Sequence, residues 1–327
     1  MMRRLLKITG VIAGILAICF VIFRTPDTDP AEMRAKYASE PSQFVTLPDG
    51  TEVHYRDEGP RDALPILLLH GSNADLSTWQ PWAEALRDDY RVIRFDQAGH
   101  GLTGKAGDSD YTRDGFIADI LAFADTLKLE RFVIGGNSMG GSHSVGFAIA
   151  HPERLAGMIL VDAGGAPVRR EESSGNTGFS IAAMPGVRQI AKQITPRSLI
   201  ERSLRQSVSN QNIVTEAMID RYWEMLRYPG NRAATIERFS IGWSSFDESD
   251  VGQITAPTLI LWGEEDTLIP LSAGEWYADT LPNAQLISYP GIGHLPQEEA
   301  ADQTVGDVQE WLVSAPLSIE GSETSSL

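Results

Sequence analysis

Residues 131–141 read Arg-Phe-Val-Ile-Gly-Gly-Asn-Ser-Met-Gly-Gly. A β-branched apolar run leads into Gly136-Asn137-Ser138-Met139-Gly140, and a helix-compatible segment through Phe147 to His151 follows. Gly-x-Ser-x-Gly between a strand and a helix is the setting of a nucleophile elbow, in which a serine stands on a sharp, strained turn. Backbone segments approach so closely there that flanking side chains would collide, which is the use of Gly136 and Gly140. Gly141 lets the helix pack tightly against the strand.

The chain on either side repeats the same rhythm. Before the elbow come a hairpin (44–47 and 53–55, around Pro48-Asp49-Gly50), the apolar run 65–69, a helix with Trp82 and Leu86, a strand over 90–95, and an amphipathic helix that Thr112 can cap. After it come Met158 to Val161, then Thr258 to Trp262, a helix near Trp276, a strand over 285–289 and a last helix around Val308 and Leu312. Short, wholly apolar runs imply strands buried on both faces, and alternation with helices implies parallel pairing through right-handed crossovers. The expected fold class is α/β, a mostly parallel twisted sheet flanked by helices.

Between residues 165 and 250 the alternation fails. The segment is helix-like and carries Met184, Ile190, Met218, Tyr222, Trp223, Met225, Phe239, Trp243 and Phe246. It reads as a helical lid inserted between two core strands, with the core in 43–164 and 251–315. Residues 25–42 are polar with three prolines and read as a linker; 316–327 are rich in Ser, Glu and Thr and read as a disordered tail.

The 27 Lys and Arg against 44 Asp and Glu give a net charge of −17, which disfavours nucleic acid as a partner. The single cysteine, Cys19, lies in the N-terminal apolar run, so the remainder can build neither a disulfide, a cysteine nucleophile nor a cysteine zinc site. Residues 5–23 are apolar behind Arg3 and Arg4, and at ~1.5 Å per residue they cover about 28 Å, close to a bilayer's hydrocarbon thickness. With no Ala-x-Ala site after them, residues 1–24 read as an uncleaved signal anchor. The positive-inside tendency then places the bulk of the chain on the extracytoplasmic side, periplasmic in a bacterium.

A serine hydroxyl needs a base within hydrogen-bond reach, and the base needs an acid to hold its tautomer. Of six histidines, His54 lies in the hairpin, His70 and His100 sit in strand-end loops suited to structural hydrogen bonds, His143 follows the serine on its own helix, and His151 marks a helix end. His294, in Gly291-Ile292-Gly293-His294 after the last strand, is the candidate base. Asp266, in Gly263-Glu264-Glu265-Asp266 after the strand 258–262, is the candidate acid, with Glu265 and Asp162 as fallbacks. The chain order is Ser138, Asp266, His294, as this elbow expects. Asp96 reads as a residue that holds its own loop together. For the oxyanion, the candidate donors are the Met139 N–H and the Ser72 N–H, the latter in His70-Gly71-Ser72-Asn73. No cofactor or metal is called for.

These motifs resemble those of α/β-hydrolase-fold proteins of the lidded serine-esterase kind, over about residues 43–315. The resemblance rests on Leu69 to Ser72, Asp96 to Gly101, Gly136 to Gly141, Gly263 to Asp266 with Pro270, and Gly293-His294. It implies hydrolysis of a small-molecule carboxylic ester with a hydrophobic group through an acyl-enzyme. Gly-Asn-Ser-Met-Gly-Gly is also similar to the elbow of C–C bond hydrolases acting on aromatic ring-fission products. Those have more glycine and proline after His-Gly and a tryptophan after the catalytic histidine, where this chain has Asn73-Ala74-Asp75 and Leu295-Pro296. Ser138 argues against the aspartate-nucleophile dehalogenases and epoxide hydrolases of the same fold. A non-catalytic ligand-binding protein of the same fold is the alternative from a different class. The glycines at 135–141 do not form a phosphate-cradling loop, since no Gly-Lys-Ser/Thr follows.

Overall fold

The computed structural model describes residues 14, 18, 20–168, 193–242 and 244–317. Helix α1 (Pro30–Tyr37) precedes the hairpin β1 (Ser42–Thr46) and β2 (Glu52–Glu58). Then come β3 (Pro65–Leu69), α2 (Gln80–Leu86), β4 (Arg91–Phe95), α3 (Arg113–Thr126), β5 (Phe132–Asn137), α4 (Met139–Ala150) and β6 (Leu155–Val161). Helices α5 (Arg197–Ser207), α6 (Glu216–Leu226), α7 (Asn231–Ile241) and α8 (Glu248–Val251) follow. The chain returns through β7 (Thr258–Gly263), α9 (Leu271–Thr280), β8 (Ala284–Tyr289), α10 (Pro296–Glu299) and α11 (Ala301–Ser314).

The eight strands among the described residues form one sheet in the order β1-β2-β4-β3-β5-β6-β7-β8. β1 and β2 pair antiparallel, as does β2 with β4, and every other pairing is parallel. The apolar runs fill both faces. Leu67, Leu69, Ile134, Ile260 and Trp262 enter one core, and Ile66, Leu68, Val133, Leu259 and Leu261 enter the other. Each such side chain contributes about 1.5–3 kcal/mol of burial, so the centre of the sheet is rigid. From β3 the chain steps to β4 on one side and then to β5 on the other. The loops leaving β3 and β5 therefore diverge around a crevice at their carboxyl ends, where ligands bind in open α/β sheets.

Thr112 caps α3 as its position suggested, its hydroxyl accepting the Gly115 N–H at 3.1 Å. One turn further on, burial and the nearby carboxylates of Asp49, Asp108 and Asp110 push Asp119 up to about 7. Its folded pKa then lies above its unfolded one, so its contribution to stability is fully present below the unfolded value and lost as pH rises through about 7. Asp119→Asn is expected to flatten the fall in urea midpoint between pH 5 and pH 8. Parallel pH profiles for the two proteins would contradict this.

Several expectations need correction. Residues 25–42 do not run as a simple linker. Asp29 caps α1, Asp27 pairs with Arg232 at 2.6 Å, and the Thr25 N–H donates to the Gln193 carbonyl. Nor is the expected membrane anchor with an extracytoplasmic domain upheld, because among the described residues no helix is long and apolar enough to cross a membrane. Most of residues 1–19 lies outside the described residues, as do the tail from 318 and Met184, Ile190 and Trp243 of the helical insertion. His54, in the hairpin, is buried and bonded to Asp96 at 2.7 Å.

Candidate active site

Ser138 follows β5 directly with φ 54° and ψ −111°, a backbone conformation that costs a non-glycine residue about 1–3 kcal/mol. The surrounding structure holds it there. The Ser138 N–H donates to the Val161 carbonyl at 3.0 Å, and its carbonyl accepts the Ser142 and Gly164 N–H groups at 3.1 and 2.9 Å. A Cβ on Gly136 would stand 2.2 Å from the Gly140 carbonyl carbon, and one on Gly140 would stand 2.2 Å from the Leu69 carbonyl oxygen. Both glycines are thus required by contact. From residue 132 to 148 every position is buried except Ser138.

His294 reaches the same end of the sheet from the loop after β8. Its Nδ1 lies 2.6 Å from Asp266 Oδ2, and both residues are buried. Asp266 Oδ1 accepts the Leu268 and Ile269 N–H groups at 2.7 and 3.0 Å. Burial opposes ionisation of Asp266, but His294 and those two N–H groups together hold its carboxyl below the usual range. An aspartate bonded to Nδ1 leaves Nε2 as the free face of the imidazole, the tautomer a general base requires. Of the fallback acids, Glu265 is exposed. Asp162 is wholly buried close by, its Oδ1 accepting the Gly263 N–H at 3.1 Å.

Asn137 joins the serine loop to the histidine loop. Its amide donates to the His294 carbonyl at 3.1 Å and to the Val161 carbonyl at 3.2 Å. Sequence reasoning passed over it, because the position before the serine carries no pattern of its own. The loop after β3 lies against the elbow as well, since a Cβ on Gly71 would come within 3.3 Å of the Ser138 Cβ. Ser72 follows there, and Met139 opens the 12-residue helix α4, whose first N–H groups are free of intrahelical partners.

The other histidines serve structure. His70 Nε2 accepts the Gln97 N–H at 3.0 Å, and His100 Nδ1 lies 3.0 Å from the Ala98 carbonyl. His143 Nδ1 lies 2.7 Å from Gln97 Oε1, and its ring stacks on Phe116 at 4.3 Å. Burial lowers all three, so they are neutral at pH 7. Asp96 ties down more than its own loop, accepting the N–H groups of Leu76 and Leu102 at 2.8 Å each.

Arg238, on α7 of the helical insertion, is the residue the sequence concealed most completely. It is buried, and its guanidinium donates to Ser72 Oγ at 2.6 Å and to His100 Nε2 at 2.5 Å, with Met139 Sδ at 3.2 Å. Its Nε finds no acceptor, and among the described residues no carboxylate pairs with it. Burial pulls its pKa down to about 9, which leaves it charged at pH 7. It lines a cavity of about 240 Å³ with Tyr111, Phe116, Ser142 and His143.

The oxygens of Asp162 and Asp266 and a ring nitrogen of His294 all lie within 4.8 Å of one another, a spacing that invites comparison with a metal site. The 2.6 Å between Nδ1 and Oδ2 fits a hydrogen bond and is too short for two ligands on one ion at bonds of about 2.0–2.2 Å.

Comparison with known proteins agrees with this architecture. The alpha/beta hydrolase fold family matches residues 65–301. A 2-hydroxy-6-oxononadienedioate/2-hydroxy-6-oxononatrienedioate hydrolase of Comamonas testosteroni is 27% identical over 277 residues, 81% of this chain and 93% of that protein. A 2-hydroxymuconate semialdehyde hydrolase of Pseudomonas sp. is 26% identical over 276 residues, 81% of this chain and 92% of its own length. Among solved structures, an esterase from Thermogutta terrifontis superposes with a TM-score of 0.68 at 25% identity, covering 83% of this chain and 98% of its own. Strand order, elbow and family match converge: the chain belongs to the alpha/beta hydrolase fold family and is a hydrolase.

Proposed function

We propose that this enzyme hydrolyses a C–C bond beside a ketone carbonyl in a small substrate that carries a carboxylate, of the kind its relatives' names give. The observation that carries the reading is Arg238, a buried guanidinium with no carboxylate partner among the described residues, which touches both segments expected to supply the oxyanion donors. An unpaired buried cation is costly to keep, and an anionic ligand group would offset that cost. The relatives' substrates, dienoates and dienedioates by name, carry such a group.

In this reading Ser138 Oγ attacks the ketone carbon as its proton passes to His294 Nε2, and Asp266 stabilises the imidazolium. The N–H groups of Met139 and Ser72 receive the developing oxyanion. Collapse of the tetrahedral adduct breaks the C–C bond, and the electron pair delocalises into the conjugated enol system before taking up the proton from His294. The acyl group stays on Ser138 until water, deprotonated by the same histidine, releases it as a carboxylic acid. The helical insertion acts as a lid, with Arg238 holding the substrate carboxylate.

Ester hydrolysis through the same acyl-enzyme is the second reading. Leu295-Pro296 after the histidine and the esterase among the structural neighbours favour it. Loss of the dienoate chromophore, followed beside hydrolysis of neutral p-nitrophenyl esters, tests the proposal. The expected outcome is a kcat/KM for the dienoate at least about tenfold above that of any neutral ester, roughly the 1.5–3 kcal/mol of one charge-assisted contact. Ester turnover without dienoate turnover refutes C–C cleavage.

A further inference from the structure

The carboxyl of Asp162 has no part in the chemistry just described, yet it sits against it. Asp162 follows β6 with φ 44°, in the left-handed region that a non-glycine residue enters only at a cost. The residue is fully buried. Oδ1 accepts the Gly263 N–H, whereas Oδ2 receives no donor among the described residues. Asp266 has its Oδ1 taken by two N–H groups and its Oδ2 by His294. The groups facing Asp162 are Asp266 and His294 from the loops after β7 and β8, Tyr289 at the end of β8, and Glu299 on α10. No lysine or arginine is among them. Two buried carboxyl groups this close, with only one imidazole to share, cannot both ionise. Asp266 holds the His294 bond and two N–H donors, so the proton belongs on Asp162. Burial and then the Asp266 charge drive Asp162 well above the ordinary carboxylate range, in agreement with this assignment.

We propose that Asp162 is a neutral carboxylic acid at working pH whose O–H donates to the Asp266 carboxylate, making it a positioning residue for His294. This rests on the reading of Ser138, His294 and Asp266 as one catalytic unit. A neutral donor restrains Asp266 without adding charge. An ionised neighbour would over-stabilise the imidazolium and hold back the proton His294 must return to the leaving group. Asp162 is in this way distinct from a reserve acid: Nδ1 of His294 bonds Asp266, and Asp162 acts through Asp266.

Labelling of Ser138 by a fluorophosphonate, followed against pH, reads the ionisation of His294 with no assumption about substrate. Asp162→Asn keeps an uncharged donor, so labelling is expected within about threefold of the parent, with the acid limb displaced by less than ~0.3 pH units. Were Asp162 ionised, the same substitution would remove a negative charge beside the imidazole and move the acid limb down by about one unit or more, overturning the proposal. Asp162→Ala removes the donor and is expected to slow labelling about tenfold, which Asn restores. Infrared spectra of protein with ¹³C-labelled aspartate carboxyls at pH 8 supply a readout independent of turnover and of the alanine variant's folding. The protonated-carboxyl band expected in the parent should be missing from Asp162→Asn, and identical spectra would refute the assignment. If the parent fails to label at any pH, the catalytic reading itself is wrong, while the infrared band still decides where the proton resides.

Discussion

Ser138→Ala is expected to lower kcat/KM for the preferred substrate by about 10⁴- to 10⁶-fold, the range lost when a serine nucleophile is removed from such a unit. The chain should remain folded, because the elbow is held by backbone bonds from Ser138 to Val161, Ser142 and Gly164. Alanine meets the same strained φ and Cβ that serine does, so the variant alters the chemistry and leaves the turn as it was. Adding Asp266→Asn to Ser138→Ala should cost little more, since residues acting as a unit lose their effect together. Steady-state kinetics with a fluorophosphonate label as control checks this. Residual activity within about tenfold of the parent would show that another group attacks the substrate.

The second large effect concerns Arg238. Arg238→Met keeps much of the volume and removes the buried charge. It is expected to reduce kcat/KM for a carboxylate-bearing substrate by about 10- to 150-fold, the equivalent of 1.5–3 kcal/mol for a charge-assisted contact. The methyl ester of that carboxylate should be far less affected, so the ratio of the two rates carries the prediction. The substitution removes the hydrogen bonds of Arg238 to Ser72 and His100 whichever compound is assayed. Disruption of the oxyanion loop would therefore slow both compounds alike, and an equal loss on both would remove the assignment of Arg238 as the anion-binding residue.

The legibility of the site varies residue by residue. Ser138 and its two glycines are local features, since a strained turn must be written within five residues, and the Cβ overlaps at Gly136 and Gly140 show why. His294 and Asp266 could be chosen because each follows an apolar strand at a glycine-marked loop. The sheet order then delivers both to one edge, with Nδ1 and Oδ2 at 2.6 Å. Asn137 and Asp162 were visible as letters, but their roles depend on distances across neighbouring strands. The bond of His54 to Asp96 was not legible, because a hairpin's periodicity shows which side a residue faces and not what covers that side. The N-terminal apolar run was read by length and hydropathy alone; the contacts to Gln193 and Arg232 come from Thr25 and Asp27, which follow it.

Apolar runs and glycine placement were sufficient to specify an α/β sheet with a serine at a β-strand's carboxyl end, because burial on both faces and a crowded turn are constraints within a few residues of chain. Arg238 is a different matter. It stands 100 residues beyond the nucleophile in a helical stretch with several other arginines, and nothing in its neighbourhood separates it from Arg232 or Arg227. Only the folding of α7 back over the crevice withdraws its guanidinium from water and sets it beside Ser72 and Met139. Desolvation of a charge is a property of what surrounds it in three dimensions, and so the burial of Arg238 belongs to the tertiary structure.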